Sequence, residues 1–148
     1  MTAAQNRQLM ETAFEGLARG DNRAFGALMT EDFSWTVPGA TPWSGVFQGR
    51  EACVRDLFRP LYAQFAEPQI IDPLSFTAEG DLVFVEGRSR PIRLQNGRAY
   101  QNEYCFVCRF EGGRLKSVRE YLDTAAMAAA LDPPPWAPAR LPEAVAEG

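Results

Sequence analysis

The chain has 148 residues, of which 46% are hydrophobic and 11% aromatic, enough for the core of one folded domain and too many for a disordered chain. A formal charge of −4 at pH 7 and the lack of a long basic cluster argue against nucleic acid and anionic membranes as partners. Because the apolar runs are too short to span a bilayer and the N terminus lacks a signal-peptide core, we expect a cytoplasmic protein.

The first third of the chain predicts two helices, a strand and a loop. Apolar side chains recur at helical spacing over residues 6–19, which indicates an amphipathic helix. Gly20 ends that helix, and a shorter helix follows around Phe25. Residues 33–37 then predict a short strand, and residues 38–49 a loop rich in Gly, Pro, Ser and Trp.

The rest of the chain predicts one more long helix and then an antiparallel meander. Helical spacing continues over residues 50–65, where Pro60 is expected to kink or shorten the helix. Beyond it the period becomes that of strands, Pro73 indicates an edge or a bulge, and the Asn96-Gly97 pair indicates a hairpin. The predicted strands are residues 69–78, 82–94, 98–111 and 114–123, and the short closing helix is residues 124–131.

Helices followed by an antiparallel meander are typical of the α+β class. We expect a single domain over residues 1–131 and a Pro-rich C-terminal tail over residues 132–148, extended and partly mobile.

Alternation along the last strands predicts two different sheet faces. Residues 98–111 and 114–123 are expected to pair as antiparallel neighbours. The outer face carries mixed charges, whereas the other face is largely apolar and should meet the helices. The residues of this inward face are Val83, Val85, Gly87, Ser89, Asn102, Tyr104, Phe106, Cys108, Val118, Glu120 and Leu122.

The content of cysteine and histidine restricts the chemistry of the chain. It has three Cys and no His, and an odd number of Cys fits a reducing compartment better than a disulfide framework. The missing His removes the usual general base and the commonest zinc ligand, so we expect no metal site. Cys105 and Cys108 have the spacing of a redox pair, but residues three apart on a strand point to opposite faces, which favours a structural role.

Glu120 is the most informative candidate, because a carboxylate on an apolar inward face is costly to desolvate. Burial raises the pKa of such a group unless hydrogen-bond donors hold it, and it can then act as acid or base near neutral pH. Asn102 and Tyr104 lie on the same face and can help to bind a carbonyl or enolate oxygen. The alternative is that the three side chains form a satisfied polar cluster that only fixes the core.

Four segments resemble the SnoaL-like branch of the nuclear transport factor 2-like superfamily, which includes polyketide cyclases, ketosteroid isomerases and limonene epoxide hydrolases. They are FEGLARGD at 14–21, TEDFSWTVPG at 30–39, GVFQG at 45–49 and RLKSVREYLD at 114–123. The resemblance implies a cone-shaped α+β fold, in which a curved antiparallel sheet wraps around N-terminal helices and a pocket. It also implies a homodimer, which Cys105, Val107 and Tyr121 on the outer sheet face would suit.

The active sites of these relatives have few counterparts in this chain. The Arg and Asp of the epoxide hydrolases fall at Gly87 and Ser89, and their last Asp corresponds to Glu120. In the ketosteroid isomerases, the base corresponds to Val37 and the oxyanion-hole Tyr falls near Phe14. Their second acid falls near Asn102 or Tyr104.

The resulting hypothesis is a cofactor-independent isomerase, cyclase or hydrolase of a small apolar or polycyclic ligand, with Glu120 as acid or base. Trp35 and Trp43 offer flat surfaces to such a ligand, although both suit core packing as well. The residues expected to line the pocket are Phe14, Leu17, Trp35, Val37, Trp43, Phe58, Gly87, Ser89, Phe106 and Leu122. A catalytically silent binding protein and a dimeric interaction module that uses the outer sheet face are the alternatives.

Overall fold

The structure is a computed structural model that describes residues 1–137. Two helices come first, α1 (Ala3–Leu17) and α2 (Arg23–Leu28). Thr2 and Gln5 form a reciprocal capping box at the start of α1, in which the Gln5 backbone N–H donates to the Thr2 hydroxyl at 3.1 Å. The first predicted helix is confirmed, and this cap explains why it begins earlier than its apolar pattern indicates.

Strands make up most of the remaining fold. In chain order they are β1 (Met29–Val37), β2 (Gly45–Gln48), β3 (Ile71–Glu79), β4 (Leu82–Ser89), β5 (Ile92–Arg93), β6 (Ala99–Tyr100), β7 (Glu103–Glu111) and β8 (Arg114–Leu122). Six of them form one sheet in the order β2-β1-β8-β7-β4-β3, and β5 pairs with β6 separately. The α+β class is confirmed, but the sheet is mixed, because β1 pairs with β8 in parallel. No hairpin joins these two strands, so the chain connection does not force them to be antiparallel.

Several predicted strands differ from the structure. β1 begins at Met29 and not at residue 33, and the strand predicted over residues 98–111 is divided into β6 and β7. Residues 38–49, predicted as a loop, contain β2, which pairs with β1 and buries Phe47. A strand of four residues is too short to show a clear alternation in the sequence. The strand predicted over residues 82–94 is divided after Ser89, because Pro91 has no N–H to donate to the sheet.

The helical region after β2 contains a π-helix between two short α-helices. It consists, in order, of α3 (Arg50–Ala52), a π-helix (Cys53–Phe58) and α4 (Arg59–Tyr62). Pro60 has no N–H, so the Asp56 carbonyl cannot accept the usual α-helical hydrogen bond from it. The Trp136 indole donates to that carbonyl instead, at 2.7 Å. The kink predicted at Pro60 therefore takes the form of a π-helical turn.

The C-terminal part begins with α5 (Thr124–Ala130), which confirms the predicted closing helix. Beyond it, the first residues of the Pro-rich tail lie against the domain, where Trp136 contacts the π-helix through Asp56. Residues 138–148 of that predicted tail lie outside the described residues. Between residues 1 and 137, no helix is long and apolar enough to cross a bilayer.

The two faces of the meander are confirmed. β7 and β8 are antiparallel neighbours, with Phe106 opposite Glu120 and Cys108 opposite Val118. The even-numbered residues of β7 are buried, whereas Glu103 on the same strand is exposed. Helix α1 contacts β3 and β4, and α3 contacts β1, so the helices cover the inward face of the sheet.

The two cysteines of β7 point to opposite faces, as the strand period requires. Cys108 is fully buried and Cys105 is half-buried, and both are free thiols. Burial raises the pKa of both thiols above the ordinary value, so neither has the thiolate character of a redox cysteine.

Candidate functional site

A cavity of about 510 Å³ lies between the helices and the inward face of the sheet. Phe14 on α1 and Phe58 on the π-helix line it from the helical side. Trp35 on β1, Phe106 on β7 and Glu120 on β8 line it from the sheet. A volume of this size and a largely apolar lining suit a small organic ligand.

The aromatic side chains of the cavity are held by one another. The rings of Trp35 and Phe58 meet edge to face, with centroids 5.2 Å apart. Phe106 lies 6.2 Å from Trp35 and 5.6 Å from Phe14, centroid to centroid. Such ring pairs add about 0.5–1.5 kcal/mol beyond their buried area. The lining is therefore a wall of mutually packed rings that joins both sides of the cavity.

Glu120 is the carboxylate that faces this wall. Its side chain is half-buried because it opens to the cavity, and its Oε1 accepts a hydrogen bond from the Trp35 indole at 3.3 Å. Burial raises the pKa of this carboxyl from 4.5 to about 7, and the Trp35 hydrogen bond opposes the rise. Within residues 1–137, the indole is its one hydrogen-bond donor. Glu120 is thus divided between its acid and base forms near neutral pH.

Replacing Trp35 with Phe should raise the pKa of Glu120 further, because the indole donor stabilises the ionised carboxylate. An NMR titration with carbon-13-labelled glutamate measures the pKa directly. Trp43→Phe is the matched control, because the Trp43 indole donates to the Asp132 carbonyl and not to Glu120. A Glu120 pKa that stays the same in Trp35→Phe would show that this hydrogen bond does not act on the carboxylate.

Asn102 lies outside the cavity lining and is held by hydrogen bonds within the protein. Its amide nitrogen donates to the Tyr100 hydroxyl at 2.9 Å and to the Asp123 carbonyl at 3.0 Å. Its amide oxygen accepts from the backbone N–H groups of Glu103 and Asp123 at 2.8 and 2.9 Å. These four bonds join the start of β7 to the end of β8, which is a structural function.

Tyr104 lies behind the cavity wall. Its ring stacks on Phe106 at a centroid distance of 5.1 Å, and its hydroxyl accepts from the Gln69 amide at 3.1 Å. Burial, together with the neighbouring Tyr100 hydroxyl, raises the Tyr104 pKa well above its ordinary value. The polar cluster of Tyr100, Asn102 and Tyr104 makes no hydrogen bond to the Glu120 carboxyl within residues 1–137. Burial and, to a lesser extent, the Glu120 charge raise the pKa of both tyrosines.

Half of the residues expected to line the pocket do so. Those that line it are Phe14, Leu17, Trp35, Phe58 and Phe106. Those that lie elsewhere are Val37, Trp43, Gly87, Ser89 and Leu122.

The residues outside the cavity have other contacts. The Trp43 indole donates to the Asp132 carbonyl at 3.0 Å, and its ring meets Trp136, so it packs under the C-terminal segment. The Ser89 hydroxyl accepts from the Asn102 backbone at 2.9 Å. Val37 is buried on β1, and Leu122 stands opposite Tyr104.

Gly87 contributes through its missing side chain. A Cβ at this position would lie 3.2 Å from Ile71 and 3.7 Å from Phe106, which both line the cavity. A larger residue would therefore push on the wall even though Gly87 itself is not part of it.

The sequence prediction missed several polar residues of the cavity. Gln69 and Tyr62 line it, and Tyr62 follows Phe58 by four residues, so the helical face was a readable signal. Tyr62 exposes 41% of its surface, part of it to the cavity. The pKa of its hydroxyl is raised, first by burial of the hydroxyl and then by the Glu120 charge. Arg23, Arg50 and Arg59 also line the cavity, a position that no sequence pattern indicated.

The family model for a SnoaL-like domain matches residues 10–118. The chain belongs to the SnoaL-like domain family. Two nuclear transport factor 2-like proteins have similar structures, one from Burkholderia pseudomallei K96243 and one from Burkholderia xenovorans LB400. The first is 26% identical with a TM-score of 0.73, over 88% of this chain and 98% of that one. The second is 28% identical with a TM-score of 0.68, over 89% and 99%.

A third similar structure is that of TerC, co-crystallised with polyporic acid. It is 17% identical with a TM-score of 0.70, over 85% of this chain and 97% of that one. No curated protein matches the sequence. These likenesses confirm the SnoaL-like, nuclear transport factor 2-like fold that the four sequence segments indicated. The sheet of this SnoaL-like domain is curved and open, as a cone-like α+β fold requires.

Proposed function

We propose that this SnoaL-like domain is a cofactor-independent isomerase, cyclase or hydrolase of a small apolar or polycyclic molecule, with Glu120 as the acid or base. Membership of the SnoaL-like family supports an isomerase or cyclase activity that needs no cofactor. The observation that carries the proposal is one carboxyl in a cavity lined by aromatic rings, with its pKa raised by burial to about 7. The structure of TerC co-crystallised with polyporic acid supports the proposal that this fold holds a small organic ligand.

The proposed chemistry is proton transfer at a carbon next to a carbonyl group. The ionised Glu120 removes the proton, and the protonated carboxyl then returns it elsewhere on the substrate. The Trp35 indole holds Oε1 of the carboxyl, which leaves Oε2 to receive the proton. Tyr62 is the proposed donor to the developing oxyanion, because it lines the same cavity and a tyrosine hydroxyl carries its proton at neutral pH. The aromatic wall limits the access of water.

The experiment uses 5-nitrobenzisoxazole, a neutral aromatic substrate that tests for a general base. The base takes the ring C–H proton, a nitrile forms, the N–O bond breaks, and a coloured nitrophenolate is released. We expect kcat/KM to rise with pH and level off around the Glu120 pKa of about 7. A rate no higher than that of an equal concentration of acetate would contradict the proposal.

A binding protein without catalysis is the second candidate. It is favoured by the hydrogen bonds of Asn102 and Tyr104, which leave the cavity without the two polar groups expected to assist Glu120. For such a protein we expect aromatic ligands to bind while elimination of 5-nitrobenzisoxazole stays at the acetate rate.

We also propose a homodimer through the outer sheet face. Tyr121 is 46% exposed there beside Cys105, its partner in the β7–β8 register, and Val107 lies on the same face. Their apolar surface suits a partner more than solvent. Sedimentation at micromolar concentration should show a species of twice the 16.4 kDa chain mass. A single species of 16.4 kDa would contradict the dimer.

A further inference from the structure

Three arginines line the helical side of the cavity. Arg23 begins α2, Arg50 begins α3 and Arg59 begins α4. All three line the cavity and are exposed to solvent, which places them at its mouth. They come from the helical side, whereas Glu120 comes from the sheet on the other side.

The three arginines differ in their partners. The Arg23 guanidinium forms two hydrogen bonds with the Asp21 carboxylate, at 3.0 and 2.7 Å, so its charge is offset. Among residues 1–137, the guanidinium groups of Arg50 and Arg59 have neither a hydrogen bond nor an ion pair. Arg55, on the same helical stretch, pairs with Asp56 and does not line the cavity. Arg50 and Arg59 therefore have donors available for a ligand.

The charge at this mouth is opposite to that of the chain as a whole. The sequence carries a net −4, yet Arg23, Arg50 and Arg59 face a single carboxylic acid, Glu120, in the cavity lining. Arg50 and Arg59 at the mouth therefore attract a ligand with a negative charge, whereas Glu120 lies on the opposite side of the cavity. A guanidinium also matches the planar, two-oxygen shape of a carboxylate.

We propose that the ligand of this cavity is an apolar or aromatic carboxylic acid whose carboxylate is bound by Arg50 and Arg59 at the mouth. Its apolar body fills the aromatic cavity and reaches towards Glu120 on the sheet side. This inference rests on the proposed function for the location of the ligand, and it adds the substrate class.

The test compares two probes of the same shape, 2-naphthoate and its neutral amide 2-naphthamide, by titration calorimetry. We expect naphthoate to bind roughly three- to tenfold more tightly, because ion pairs at a solvent-exposed mouth add only a modest amount each. Arg50→Gln and Arg59→Gln should each remove a several-fold part of that preference and leave naphthamide binding unchanged. Added salt should also reduce the preference, because the mouth is open to solvent.

Arg55→Gln is the matched control, an exposed arginine between the two that does not line the cavity; it should bind both probes as the wild type does. Circular dichroism checks that each variant is folded. A third probe, 2-naphthyl phosphate, distinguishes the two common anions, and binding tighter than that of naphthoate would overturn the carboxylate assignment.

Equal affinity for the acid and the amide, unchanged in Arg50→Gln and Arg59→Gln, would overturn the inference. Absence of binding by both probes would overturn it as well. Neither result depends on catalysis. The proposed function is tested separately by the elimination rate of 5-nitrobenzisoxazole. This substrate carries no anionic group, so its rate does not depend on the proposed carboxylate site.

Discussion

Replacing Glu120 with Gln should lower kcat/KM for 5-nitrobenzisoxazole elimination by roughly two to four powers of ten, the usual contribution of general acid–base catalysis. Gln has almost the same size, and its amide oxygen can still accept from the Trp35 indole. It cannot accept the substrate proton at neutral pH. The release of nitrophenolate, followed by absorbance, measures the loss.

Glu103→Gln is the matched control for this experiment. Glu103 is an exposed carboxylate on the outer face of β7, where it pairs with Arg88 at 2.9 Å. We expect it to keep the wild-type rate, and we expect naphthamide to bind Glu120→Gln with unchanged affinity. Full activity in Glu120→Gln would show that the carboxyl is structural and would favour the binding protein.

The sequence was sufficient to place Glu120 and Phe106 on the inward sheet face, and it left Trp35 open between lining the pocket and packing in the core. Strand alternation decides which sheet face a side chain joins, and an apolar face must meet the helices. Residue 120 therefore had to point inward, whatever the details of the helices above it. The resemblance to SnoaL-like proteins added the cavity, which alternation alone does not imply.

The same alternation could not tell how far along a strand the cavity extends. Asn102 and Tyr104 share the face of Glu120, but they lie near the end of the sheet where Gln69 and Tyr100 meet them. Trp43 was misplaced for a similar reason. Its partner, the Asp132 carbonyl, is 89 residues away in the chain, and no local pattern signals such a contact.

The positive mouth of the cavity was also beyond the sequence patterns. Arg50 and Arg59 are nine positions apart, and whether two such residues share a face depends on the helix between them. The π-helix at Cys53–Phe58 changes that helical phase. Their joint position at the cavity is thus a property of the folded chain, and the acidic total charge pointed the other way.

Glu120→Gln should also make the protein more stable at alkaline pH. In the folded protein the Glu120 pKa is about 7, against 4.5 for an ordinary glutamate. Between these two values the folded state binds more protons than the unfolded state, so the free energy of unfolding falls as pH rises. A pKa shift of this size corresponds to a free energy of unfolding of at most about 3 kcal/mol, and this stability is fully lost above the folded pKa. The value is smaller where water in the cavity reaches the carboxyl.

Gln does not titrate, so the variant lacks this loss. We expect it to match the wild type near pH 4 and to exceed it by up to about 3 kcal/mol at pH 8, as measured by urea denaturation. Glu103→Gln removes an exposed carboxylate from the outer sheet face and is the control for the loss of one negative charge; it should not show this gain at pH 8. A Glu120→Gln variant less stable than the wild type at pH 8 would mean that the ionised carboxylate stabilises the fold. Glu120 would then be a structural group, and the cavity would lose the base on which its proposed chemistry depends.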